Sequence, residues 1–248
     1  AQDESLLRQA IARGGPNQPY LEDLLRQKPY QLQPETERVL AALRPVINAP
    51  YDVYNMAKLA DMKFPSFQAD GGEHPLGYSL YEDKYEYDPR TEVRREAYKA
   101  FYEKLRAYEN VTAAAYQANI QGEKIIADQR GYKSVFDYLL FWQKVDRSLY
   151  DRQIDLIMEK LAPHMRKYAR LLQKIHGLDK MTYADLKLPV DPGYAPPVTI
   201  EESRKYIVEG LSVLGEDYQE MVRAAYRERW VDFAQNQGKS TGGFCASP

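Results

Sequence analysis

From Asp88-Pro89 to Arg130-Gly131 the chain runs with almost no helix breaker. Proline suits the first turn of a helix, where its missing N–H has no partner to lose. Glycine suits the position just past the end. Val93, Ala97, Phe101, Leu105 and Tyr108 recur at steps of four or three and so share one face. Arg94, Arg95, Lys99 and Glu103 lie mostly elsewhere on it. The run predicts one helix of about 40 residues, roughly 60 Å long at 1.5 Å per residue, with Gly122 as a candidate bend. A small compact domain has no use for a helix of that length. An extended helical wall does.

Most of the remaining sequence repeats the helical period. Leu6, Leu7, Ala10 and Ile11 form a stripe that stops at Gly14-Gly15-Pro16, and Leu21, Leu24 and Leu25 form another that stops at Pro29. Pro34 fits a first turn, and Thr36 to Leu43 should end before Pro45, with Asp52 capping a further segment. Asp70-Gly71 between aromatic-bearing flanks is a hairpin signal inside a small β insertion near residues 64–78. Ser79 is placed to cap a short helix through Tyr85. Ser148 is placed to cap a long helix to Ile175, kinked where Pro163 removes a backbone donor. After a proline-rich linker, Thr199 should cap a helix to Leu214, and a last helix spans about Asp217 to Arg229. A short strand is expected near the C-terminus. The fold class read from this pattern is mainly α.

Bulk properties narrow the function. With a formal net charge of -2 and 28% charged residues, the chain lacks the basic footprint of a nucleic-acid binder. No stretch approaches the roughly 20 apolar residues that span a bilayer, and the start shows no basic-then-apolar leader pattern. A single cysteine, Cys245, excludes an internal disulfide framework and fits a reducing compartment, so a cytoplasmic location is expected. The 21 tyrosines suit polar seams between helices or the lining of a peptide channel. Ala1 in place of Met, and a turn-rich tail from Thr241 to Pro248, read as cut ends.

Taken alone, the residues offer no self-sufficient catalytic set. His164 and His176 fall on one predicted helix but about 18 Å apart, too far to share an ion, and His74 has no partner at metal-ligand spacing. Gly238-Lys239-Ser240 imitates the end of a phosphate loop but lacks the upstream glycine. Cys245 has no visible local base. A lone cysteine more often serves as a small apolar side chain.

Four segments together carry a resemblance. They are Arg94-Arg95-Glu96-Ala97-Tyr98-Lys99-Ala100-Phe101; Asp128-Gln129-Arg130-Gly131-Tyr132-Lys133-Ser134; Lys174-Ile175-His176-Gly177-Leu178-Asp179-Lys180-Met181-Thr182-Tyr183-Ala184-Asp185, running into Leu188-Pro189-Val190; and Gly238-Lys239-Ser240-Thr241-Gly242-Gly243-Phe244-Cys245. In this order and spacing the chain resembles the oligoendopeptidase F branch of the thimet-oligopeptidase superfamily of zinc metallopeptidases. The resemblance covers roughly residues 60–248, while residues 1–60 fit the family's helical N-terminal region in character.

The resemblance implies a channel-forming metallopeptidase fold that admits short peptides and excludes folded proteins. In such enzymes two histidines of an HExxH helix and a downstream glutamate hold zinc, and the glutamate within the motif is the general base. This sequence contains no HExxH. No metal ligand and no catalytic residue is therefore assigned, and zinc is expected in the full-length enzyme rather than in this chain. The resemblance implies residues 1–190 as a helical N-terminal region and residues 191–248 as the beginning of the catalytic domain, with a missing C-terminal portion as partner. It also implies a substrate-binding role for Gly242, Gly243 and Phe244, in an edge strand whose N–H and C=O groups pair with an extended peptide. A non-catalytic helical binding or scaffold module is the rival reading.

Overall fold

The computed structural model describes residues 4–194 and 196–233, and these are mostly helical with two short strands. The helices are α1 (Glu4–Ala12), α2 (Gln18–Gln27), α3 (Pro34–Asn55), α4 (Tyr78–Asp83), α5 (Thr91–Arg106), α6 (Glu109–Gln129), α7 (Val135–Gln143), α8 (Arg147–Leu156), α9 (Ala162–Ile175), α10 (Ile200–Gly210) and α11 (Glu216–Arg227). The strands β1 (Phe67–Ala69) and β2 (Gly72–His74) pair antiparallel. The expected C-terminal strand lies outside the described residues. The chain divides into two compact units. One takes residues 1–61 and 106–165, the other residues 62–105 and 166–248.

In the first unit α3 packs along α6. A Cβ placed on Gly122 would lie 3.8 Å from Ile47 Cγ2, so the glycine faces α3. α6 continues past it to Gln129. α3 does not stop before Pro45 as its sequence suggests. It continues through Pro45 and Pro50 and passes into a π turn, Met56–Asp61. Asp52, expected as a cap, lies inside it. A second π turn, Ile157–Leu161, joins α8 to α9 directly before Pro163. A wider turn is one way a helix accommodates a residue that lacks an N–H and crowds the preceding carbonyl. Asp146 rather than Ser148 caps α8, its Oδ1 accepting from the Leu149 N–H at 2.7 Å.

In the second unit the expected hairpin forms with the register Phe67 to His74, Gln68 to Glu73 and Ala69 to Gly72. Its turn residues Asp70 and Gly71 have φ of 51° and 70°, the left-handed pair a two-residue hairpin loop requires. Phe67 and Ala69 are buried and Gln68 is exposed, the alternation of a strand with one covered face. These two residues join Tyr81, Tyr85, Val93, Ala97 and Phe101 in one core. Phe101 stacks on Tyr81 at 4.1 Å and on Phe64 at 5.0 Å. The Tyr85 hydroxyl donates to the Pro75 carbonyl at 2.8 Å, so its buried polar end is satisfied.

The single long helix expected from residue 88 to 130 is instead two, α5 and α6, broken at Ala107–Tyr108. Neither glycine nor proline marks the break. Tyr108 adopts φ −107° and ψ 6°, and its hydroxyl donates to the Asp61 carbonyl at 3.2 Å. A contact distant in sequence accompanies the break, and helix propensity carries no sign of it.

The second unit is fastened by the Asp185 carboxylate, which is fully buried. It accepts six hydrogen bonds, four from the guanidinium groups of Arg94 and Arg95 and two from the N–H and hydroxyl of Thr182. Arg94, 1% exposed, also donates to the Asp88 carbonyl at 2.6 Å. Burial alone would raise the Asp185 pKa, but the bonds from Thr182, Arg94 and Arg95 outweigh it and hold the carboxyl below its usual value. Because the folded value is the lower one, the stabilisation is complete above the unfolded carboxyl pKa of about 3.9 and is lost as pH falls through the depressed folded value. Asp185→Ala should cost about 3–5 kcal/mol in denaturant unfolding, since it strands a buried guanidinium, whereas Asp179→Ala, at an exposed partner of Arg95, should change stability little. Asp185→Asn should also flatten the acid limb of the stability curve.

Candidate functional site

Three of the four segments that carry the resemblance fall on described residues, and the fold turns them into tie points. The first and third meet each other. Arg94 and Arg95 of α5 bind Asp185, and Arg95 also reaches Asp179 Oδ1 at 3.2 Å and the Lys180 carbonyl at 2.8 Å. His176, at the end of α9, has its Nε2 2.8 Å from the Pro189 carbonyl, so this ring is tied to the backbone. Thr182 and Asp185 form a reciprocal capping box around the turn Tyr183–Asp185.

The second segment anchors the first unit. Arg130 pairs with Glu37 of α3 in a fork, Nη1 to Oε1 at 2.7 Å and Nη2 to Oε2 at 2.9 Å, and Nη1 also donates to the Tyr30 carbonyl at 3.1 Å. The Arg130 hydrogen bonds lower the Glu37 pKa against the opposing effect of burial. Gly131 has φ 79°, a left-handed helix stop. Directly after it Tyr132 stacks flat on Tyr30, centroids 3.7 Å apart and planes within 4°. Nothing in the local sequence pairs Arg130 with Glu37 or Tyr132 with Tyr30, since each partner lies on the order of a hundred residues away.

Of the open depressions in the first unit, two are walled by several aromatic side chains. One, of about 350 Å³, lies between α3 and α6 and is mainly apolar, with Pro50, Tyr51 and Tyr54 on one side and Ala115, Tyr116 and Asn119 on the other. Tyr51 is 63% and Tyr116 67% exposed, so both rings are open to a bound chain. The other, of about 520 Å³, adjoins the Arg130–Glu37 pair and is more polar.

Gly242, Gly243 and Phe244, expected to bind substrate backbone, lie outside the described residues, as does Cys245. Among the described residues no three of His, Cys, Asp and Glu come together as a metal site, and His164 is exposed. These residues do not fit a zinc ion. No described helix is long and apolar enough to cross a membrane.

Comparison with known proteins agrees with the fold. A family model described as oligopeptidase F matches residues 1–64, and one described as peptidase family M3 matches residues 84–247. The chain belongs to peptidase family M3, in its oligoendopeptidase F branch. It is 28% identical over 225 residues to oligopeptidase PepF of Bacillus subtilis, covering 90% of this chain and 33% of that protein. It is 29% identical over 226 residues to the group B oligopeptidase PepB of Streptococcus agalactiae, covering 91% and 37%. Oligoendopeptidase-F from Enterococcus faecium shares the fold, with a TM-score of 0.70 at 24% identity over 90% of this chain and 42% of that one. The chain thus spans about a third of the length of the curated relatives it matches.

Substituting Glu37 by Gln should loosen the Arg130 anchor at a cost of about 1.5 kcal/mol or more. Thermal unfolding would register it, and an unchanged midpoint would mean the pair contributes nothing. The hydroxyl-free variant Tyr132→Phe keeps the ring stack and should unfold close to the parent.

Proposed function

We propose that this chain works as part of a cytoplasmic zinc metallopeptidase that hydrolyses short peptides, and that the zinc ligands and the general base belong to sequence not contained in these 248 residues. The observation that carries the reading is the match of the peptidase family M3 model to residues 84–247. Relatives that bear the names oligopeptidase and oligoendopeptidase support it. So does the fraction of their length that the chain covers.

In this reading the chain contributes binding surface. Residues 191–248 begin the catalytic domain and residues 1–190 form its helical N-terminal companion. Gly242, Gly243 and Phe244 supply an edge strand whose backbone pairs with an extended peptide. Main-chain pairing holds a peptide without regard to its side chains, and glycine permits close approach of two backbones. The tyrosine-walled depression between α3 and α6 supplies channel wall.

The 248-residue chain should bind no stoichiometric zinc and cleave no fluorogenic peptide, while the full-length product of its natural gene should do both. One zinc per 248-residue chain with chelator-sensitive cleavage would overturn the reading, and a full-length product without HExxH and without cleavage would favour the helical scaffold module instead. In the full-length protein, Gly243→Pro removes one backbone donor and should lower kcat/KM about tenfold, the equivalent of one hydrogen bond. An unchanged kcat/KM would remove the edge strand from the mechanism.

A further inference from the structure

The polar cleft beside Arg130 has the makings of a ligand site of its own. It measures about 520 Å³, within the range of small-molecule sites. Its walls bring the charged side chains Glu37, Arg44 and Arg130 together with the rings of Tyr30, Tyr138 and Trp142.

The charges do not cancel. Arg130 is committed to Glu37 through both nitrogens and to the Tyr30 carbonyl, so that pair is neutral and offers a ligand little. Arg44, exposed on α3, makes no ion pair among the described residues. One unpaired guanidinium therefore faces a cleft whose other charges are already matched. Arg44 also borders an adjoining cleft of about 330 Å³, where the acidic Glu123 is a wall. Glu123 is not a wall of the larger one, so the larger one is the better host for an anion.

The rings supply the second half of the recognition. Tyr30 is immobilised by its stack on Tyr132, and Phe141 meets both rings edge-on at 5.2 and 5.6 Å. The result is a rigid aromatic wall rather than a set of free side chains. Trp142, next in sequence, is 57% exposed at the rim. The Tyr138 hydroxyl, a phenol that is protonated at neutral pH and whose pKa burial raises further, can donate. A fixed aromatic wall beside an unpaired guanidinium matches a planar or aromatic group that carries a carboxylate.

We propose that this cleft binds an aromatic carboxylate, with Arg44 holding the carboxylate and the Tyr30–Trp142 wall holding the ring. The proposal does not depend on the peptidase reading. Two sources share this chemistry, a free aromatic acid and the carboxyl end of a peptide that finishes in an aromatic residue.

Fluorescence can test it on the full chain. The sequence has two tryptophans, Trp142 and Trp230, so Trp230→Phe leaves Trp142 as the only indole reporter. N-acetylphenylalanine should produce a saturable change in its emission, and the corresponding amide should bind at least tenfold more weakly. Arg44→Gln should weaken N-acetylphenylalanine at least tenfold, and Arg44→Lys should stay within about threefold. Arg44 is exposed and makes no ion pair among the described residues, so neither variant threatens the fold. A tripeptide ending in phenylalanine that binds tighter than the acetylated amino acid supports a peptide end as the source, and equal binding supports the free acid. The absence of a saturable change, equal affinity for the amide, or an undiminished Arg44→Gln variant would overturn the proposal.

Discussion

Asp185 is a carboxylate with no exposure to solvent, and an ion in that position is tolerated only if its charge is met on all sides. Two neighbouring arginines of α5 and the backbone and hydroxyl of Thr182 meet it. Consecutive residues on a helix point about 100° apart, so only a group placed between the two directions can receive both guanidinium groups. The turn Tyr183–Asp185 is held in that place, and with it the segment leading from the end of α9. The same helix carries Val93, Ala97 and Phe101 into the core under the hairpin. One face of α5 thus packs the apolar interior while its neighbour binds the ion.

The first unit uses the same device with less burial. Arg130, at the end of α6, reaches back to Glu37 on α3 and to the Tyr30 carbonyl, and Tyr132 follows onto the Tyr30 ring. Guanidinium forks suit this task because they fix direction as well as distance. These anchors also build the polar cleft. The rings that hold the unit together are the rings a ligand would meet, and the neutralised Arg130–Glu37 pair leaves Arg44 as the charge the cleft presents.

The departures from sequence expectation have physical causes in common. Pro45 is a poor guide to the end of α3, which runs on through Pro45 and Pro50, because helix packing along α6 outweighs the loss of two backbone donors. Pro163 does mark an irregularity, and it takes the form of a π turn rather than an end. The break at Ala107–Tyr108 has no sequence signal of its own. The hairpin and the cap at Thr199 are legible because both depend on a few adjacent residues. Asp70-Gly71 reach the required left-handed conformations, and Thr199 with Glu202 completes its reciprocal bonds.

The sequence by itself determined the helical class, the hairpin, the cap at Thr199 and the membership of peptidase family M3, because period, turn chemistry and short ordered motifs are local properties. It also determined that no HExxH occurs in these residues. Only the tertiary structure decided what the motif residues do. Arg94, Arg95 and Asp185 read as a family signature, and so did Arg130 and Tyr132. Their partners lie about ninety or a hundred positions away, and a pairing over that distance is written in packing and electrostatics rather than in any stretch of sequence.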